Sequence, residues 1–162
     1  MEIKMDIISE LNGKRILIWG YGREGKATEH FLQRCVKPAS VDIFEGKKEE
    51  IDEDDYDFII KSPGIVMNEE NPKYTSETEL FLQQFRDQVI GITGTKGKST
   101  TSAMLYTVLK ACSGRPVLLL GNIGQPCLDY FEEVTEDTII VYEMSCHQLA
   151  HTNVSPHIAI FS

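Results

Sequence analysis

The stretch Gly91-Ile92-Thr93-Gly94-Thr95-Lys96-Gly97-Lys98-Ser99-Thr100-Thr101 constrains the fold of this chain more than any other. It continues an apolar run at 89–93 and opens a helical pattern at 98–112. Small residues in such a loop let successive backbone N–H groups turn inward around a phosphate. A lysine then reaches the β- and γ-phosphates, and a hydroxyl holds Mg²⁺. Gly94, Gly97, Lys98 and Ser99 supply these parts in order, so Gly94, Thr95, Lys96, Gly97, Lys98, Ser99 and Thr100 form the expected ATP-binding loop. A strand feeding a helix through such a turn commits the second half of the chain to an α/β sheet. One departure stands out: the general pattern G-x-x-x-x-G-K-[ST] asks for glycine where this chain has Ile92, and its glycines fall at 91 and 94 instead.

The first half repeats the arrangement with a different loop. A strand at 15–19 leads into Gly20-Tyr21-Gly22-Arg23-Glu24-Gly25, and a helix follows to Cys35, with Ala27, Phe31, Leu32 and Cys35 on one face. Strands at 41–44 and 56–60 come next, then Ser62-Pro63-Gly64 and a short helix at 77–85. In the second half the helix at 98–112 presents Met104, Leu105, Val108, Leu109 and Cys112 as its apolar face. Gly114 and Pro116 end it, and strands follow at 117–120, 138–143 and 157–161. The alternation predicts an α/β fold: a Rossmann-like parallel-sheet domain at 1–87, then the first part of a P-loop ATPase-type α/β domain at 88–162. The last strand reaches Ser162 with no helix behind it, and a parallel sheet needs both faces covered. The expectation is a chain cut inside its second domain.

Charge and cysteine pattern narrow the partners. With 16 Lys and Arg against 25 Asp and Glu in 162 residues, the formal net charge is -9. Such a surface repels a nucleic-acid backbone, so nucleic acid is excluded as a general partner, whereas a local cradle of N–H groups still accepts a nucleotide. The apolar runs at 117–120 and 139–142 are too short to cross a bilayer, and the N-terminus has no long apolar segment of a secretion signal. A cytoplasmic protein with no membrane contact is expected. Cys35, Cys112, Cys127 and Cys146 form no C-x-x-C pair and read as reduced thiols. His30, His151 and His157 show no ligand spacing, and the acidic run at 49–57 reads as a solvated loop.

The first loop is a G-x-G-x-x-G between strand and helix, for which a dinucleotide is the default ligand. Glu45 lies about 20 residues on, where an acid binds ribose hydroxyls in such sites. On this half alone, an NAD(P)-dependent oxidoreductase or a non-catalytic nucleotide-binding module stays open.

The second loop, T-G-T-x-G-K-S-T-T, resembles that of the Mur ligase family and its folylpolyglutamate synthase relatives. Gly121-Asn122-Ile123-Gly124-Gln125-Pro126 is similar to the family's G-N-I-G-x-P turn, and Glu143-Met144-Ser145-Cys146-His147-Gln148-Leu149 to its E-[LM]-S-S-x-Q-L segment. Ser62-Pro63-Gly64-Ile65 and Thr78-Glu79-Leu80-Phe81 add matches in the first half. The resemblance implies a monomeric, ATP- and Mg²⁺-dependent amide ligase of peptidoglycan precursor synthesis. Its substrates would be UDP-N-acetylmuramoyl-L-alanine, activated as an acyl phosphate, and D-glutamate. Lys98 and Glu143 would be the catalytic residues, Ser99 and Glu143 the Mg²⁺ ligands; the apolar run before Glu143 delivers that carboxylate to the ligand-binding edge of the sheet. Gly22, Arg23, Glu24 and Gly25 would face the diphosphate, Glu45, Gly46, Lys47 and Gly64 the uracil and ribose, and Asn122, Ser145 and Gln148 the muramoyl-alanine part. Two positions depart from the family. Glu24 replaces a common threonine, so either Arg23 compensates its charge or it turns to solvent, and Cys146 replaces a serine and reads as a buried thiol. The family's later parts, a second Mg²⁺ site, a carbamylated lysine and the amino-acid-binding domain, would lie beyond Ser162. The chain alone is therefore expected to bind nucleotides without forming the amide.

Overall fold

In the computed structural model, which describes residues 6–67, 71–150 and 152–162, each half of the chain builds a four-stranded sheet whose strands all run parallel. His151 lies outside the described residues. The first sheet comprises β1 (Arg15–Trp19), β2 (Ser40–Phe44), β3 (Phe58–Lys61) and β4 (Tyr74–Thr75), in the order β2-β1-β3-β4. β1 is central and apolar on both faces, as a covered parallel strand must be. Ile16 and Ile18 enter the main core, while Leu17 and Trp19 pack with Ile59 on the other side. α2 (Arg23–Cys35) buries Ala27, Phe31 and Leu32, the face read from its spacing. α3 (Glu77–Phe85) begins at Ser76, whose hydroxyl accepts the Glu79 N–H at 3.1 Å. Among the elements that escaped the sequence pattern are the single-turn helix α1 (Ile7–Leu11) and the two-residue β4, both too short to show a period.

The second sheet comprises β5 (Val89–Thr93), β6 (Val117–Gly121), β7 (Ile139–Glu143) and β8 (Ile158–Phe161), in the order β6-β7-β5-β8. α4 (Lys98–Cys112) follows β5, and the four-residue α5 (Cys146–Leu149) follows β7. Gly114, at a φ of 67°, ends α4 in the left-handed conformation expected of a glycine there. The face of α4 differs from the expected one. Met104 and Val108 are 64% and 58% exposed and Cys112 is exposed, whereas Ser102 is buried and Leu105 and Leu109 half-buried. α4 lies across β5, β6 and β7 with its 102/105/109 edge toward the sheet, and only part of the apolar stripe is covered.

One core connects the two sheets. Ile16, Ile18, Phe31 and Ile60 from the first half pack in the same cluster as Phe131, Ile140 and Tyr142 from the second. An aromatic chain runs through it: Phe31 to Phe131 at 4.7 Å, Phe131 to Phe85 at 5.0 Å, Phe85 to Phe81 at 5.0 Å, and Phe81 edge-on to Tyr142 at 5.8 Å between centroids. Such pairs add about 0.5–1.5 kcal/mol beyond the area they bury. α3 and the 3-10 segment Cys127–Glu133 are the shared layer between the sheets. Among the described residues no helix is long and apolar enough to cross a membrane.

Candidate functional site

The loop after β5 is shaped by two glycines with positive φ, Gly94 at 141° and Gly97 at 83°. A Cβ at Gly94 would lie 1.8 Å from the carbonyl oxygen of Ser162, so the approach of β8 as well as the backbone angle demands glycine. Gly97 precedes α4 without a side-chain cap, which leaves the helix's first N–H groups directed at the loop mouth. The departure at 91–92 is explained by packing. Ile92 is fully buried, and a Cβ at Gly91 would meet Met144 Cε at 2.4 Å and Pro156 Cγ at 2.7 Å. Gly91 therefore serves the core and Gly94 the loop. Thr95, Lys96, Gly97 and Thr100 are exposed around the mouth. The Lys98 ammonium donates to Gly94 O at 2.8 Å, folded back over the turn it would leave to meet a phosphate.

Beside this loop sits a buried carboxylate with half its capacity unused. Glu143 ends β7, pairs in register with Ile92 and is fully buried. Its Oε1 accepts from Asn122 Nδ2 at 2.9 Å and from Ser99 Oγ at 3.3 Å, while Oε2 has no hydrogen-bond partner. An unpartnered buried carboxylate oxygen is costly, and a hard cation relieves it. Mg²⁺ in nucleotide sites takes one or two protein oxygens and fills its shell with phosphate and water. Ser99 and Glu143 fit that donor set. No group of three or more His, Cys, Asp and Glu gathers into a metal site among the described residues.

At the first sheet, the loops after its three neighbouring strands β2, β1 and β3 share one edge. Residues 20–25 follow β1, Glu45, Gly46 and Lys47 follow β2, and Ser62 to Gly64 follow β3. Gly20 N–H donates to Phe44 O at 2.8 Å, and Ser62 Oγ donates to Gly20 O at 3.0 Å, which ties the three loops together. A Cβ at Gly25 would strike Gly20 O at 2.3 Å, so this glycine lets α2 start close against the strand. Gly22 and Gly64 have open space around their Cα atoms, and Glu45, Gly46 and Lys47 are exposed. Trp19 Nε1 donates to Gly46 O at 3.0 Å, fixing the loop after β2.

The two loop edges meet. Arg23 donates to Gly124 O at 3.0 Å, reaching the turn after β6. Glu24 does not turn to solvent: its Oε1 accepts from Gln148 Nε2 at 2.9 Å, and its Oε2 is buried without a hydrogen-bond partner. Burial raises its pKa, opposed by the Gln148 hydrogen bond and the charges of Arg23 and Lys61. Ser145 caps α5 by accepting the Gln148 N–H. Cys146 is exposed, not buried, because it occupies the first turn of α5 facing away from the core. Two buried ionisable side chains gave no motif signal. Lys61 is 4% exposed and donates to Ile65 O at 2.9 Å, with its pKa lowered by burial. Glu77 is 2% exposed, its Oε1 accepts from Leu128 N at 2.9 Å, and burial lifts its carboxyl to about 8. Glu77 itself was legible only as the first residue of the short helix at 77–85. A cavity of about 500 Å³, lined in part by Thr75, Glu79, Gln83 and Asn153, contains none of the expected site residues.

Residues 92–162 match the Mur ligase middle domain. A UDP-N-acetylmuramoylalanine–D-glutamate ligase of Clostridium kluyveri is 36% identical over 139 residues, covering 81% of this chain and 30% of the relative. The enzyme of that name from Oenococcus oeni is 29% identical, with coverages of 92% and 38%. The one from Streptococcus pyogenes is 31% identical, with coverages of 98% and 41%. The chain thus spans from 30% to 41% of the length of these relatives.

Proposed function

We propose that this chain is a member of the Mur ligase family, as its likeness to these relatives supports, and that it serves an ATP-dependent amide ligase of peptidoglycan precursor synthesis. The reaction would join D-glutamate to UDP-N-acetylmuramoyl-L-alanine. Residues 1–87 would hold the UDP-substrate and residues 88–162 the ATP. One observation carries this reading: a buried carboxylate with an unpartnered oxygen, Glu143, stands beside Ser99 at the head of a phosphate loop.

Each residue then has a task. N–H groups of residues 94–100 surround the β-phosphate, and Lys98 swings from Gly94 O to the transferring γ-phosphoryl. Mg²⁺ on Ser99 and Glu143 would neutralise the phosphate charge against which a carboxylate substrate must be brought. Asn122 fixes the Glu143 carboxylate for that duty. Gly22, Arg23 and Gly25 face the diphosphate, Glu45, Gly46, Lys47 and Gly64 the nucleoside, and Ser145 and Gln148 border the muramoyl-alanine part.

Titration calorimetry with UDP-N-acetylmuramoyl-L-alanine tests the proposal, with NADH as the control because Glu45 stands at the end of β2 where a ribose-binding acid would be. Saturable binding that UDP competes away, with no heat from NADH, supports it. Binding of NADH in place of the UDP-sugar sinks it.

A further inference from the structure

Glu24 and Gln148 lie 124 residues apart in sequence and close the seam between the two loop edges. Gln148 is 5% exposed, and its side chain is engaged at both ends. Its Oε1 accepts the Ser145 N–H at 2.8 Å, and its Nε2 donates to Glu24 Oε1 at 2.9 Å. Its backbone N–H is held by Ser145 Oγ at 3.2 Å, so the amide is the pin of that turn. Glu24 sits in the first turn of α2, directly after the loop at 20–22, while its neighbour Arg23 holds Gly124 O in the turn after β6. The first two residues of α2 thus grip the two turns of the second half that flank Glu143.

We infer that Glu24 is a positioning residue that couples the diphosphate loop to the Ser145–Gln148 turn, so that an occupant of the first loop orders the second half's site. This rests on the reading of the first loop as a UDP site. Any anion settling on residues 22–25 fixes the start of α2, and with it the carboxylate that holds Gln148. Threonine at 24 is too short to make the contact, whereas glutamine keeps an accepting oxygen at the same reach. The coupling therefore depends on the length and acceptor of this side chain and not on its charge.

Amide hydrogen exchange on the intact chain, with and without UDP, tests the inference. In the native chain UDP slows exchange at residues 121–125 and 145–149. Glu24→Gln preserves both effects. In Glu24→Thr residues 145–149 exchange roughly fivefold to tenfold faster, as loss of one hydrogen bond predicts, and no longer respond to UDP at concentrations that saturate the first loop. Gln148→Ala probes the same contact from the other side and loses the same response. If UDP binds and still slows residues 145–149 in Glu24→Thr or in Gln148→Ala, the inference is overturned while the UDP reading stands. If UDP does not bind the native chain at all, the reading and the inference fall together.

Discussion

Gly94 and Glu77 show how single residues carry constraints that a motif reports only in part. The phosphate-loop pattern singled out Lys98 and Ser99, which open α4, yet it could not say that Gly91 answers to Met144 and Pro156 while Gly94 answers to Ser162. These are contacts between strands distant in sequence. Gly94→Ala places a methyl group in the path of Ser162 at a positive φ, and a loss of about 1–3 kcal/mol is expected in urea denaturation. An unchanged midpoint would show that β8 is not seated against the loop. Glu77 gave no signal because its burial arises from α3 being sandwiched between the sheets. Its carboxyl moves from an ordinary 4.5 to about 8 through burial. The folded state therefore binds this proton more tightly than the unfolded chain. Its stabilising effect is complete below pH 4.5 and is lost as pH rises to 8, at about 1.4 kcal/mol per unit if it titrates alone. The difference in stability between the native chain and Glu77→Gln should change across that window and level off above it. A difference that stays constant with pH contradicts the buried acid.

Elements were legible where their period was long enough to register. The burial of α2 follows its 27/31/32 spacing, and β1, β5 and β7 announce themselves as apolar runs. α4 was legible in extent but not in phase, since its apolar stripe does not coincide with the edge that meets the sheet. Met104→Lys and Val108→Lys should each change stability by less than about 0.5 kcal/mol, as exposed substitutions do. Ile92→Ala, in the covered strand beneath, should cost about 2–5 kcal/mol. Equal losses for the two classes, measured by thermal melting, would mean that α4 buries the stripe after all. The cap of α3 belongs to the same scale: Ser76→Ala removes the acceptor for Glu79 N–H and should cost about 1 kcal/mol.

At the scale of the whole molecule, the two sheets share one apolar cluster and a chain of five aromatic rings. Two glycine loops could be read from sequence as two nucleotide sites; their meeting through Arg23–Gly124 and Glu24–Gln148 could not, because no local pattern records which loops face each other. The shared core predicts one unfolding transition. Fluorescence of Trp19, the single tryptophan, should trace the same curve as the calorimetric melt, and Phe131→Ala should lower both together by about 3–5 kcal/mol. Two separated transitions would show that the halves unfold independently. The phosphate loop remains the centre of the account, and calorimetric titration of Mg-ATP into the native chain and into Lys98→Ala addresses it most directly. The account predicts saturable, Mg²⁺-dependent binding to the native chain and at least a tenfold loss in the variant, about 1.4 kcal/mol or more; equal affinity in the two proteins would contradict it.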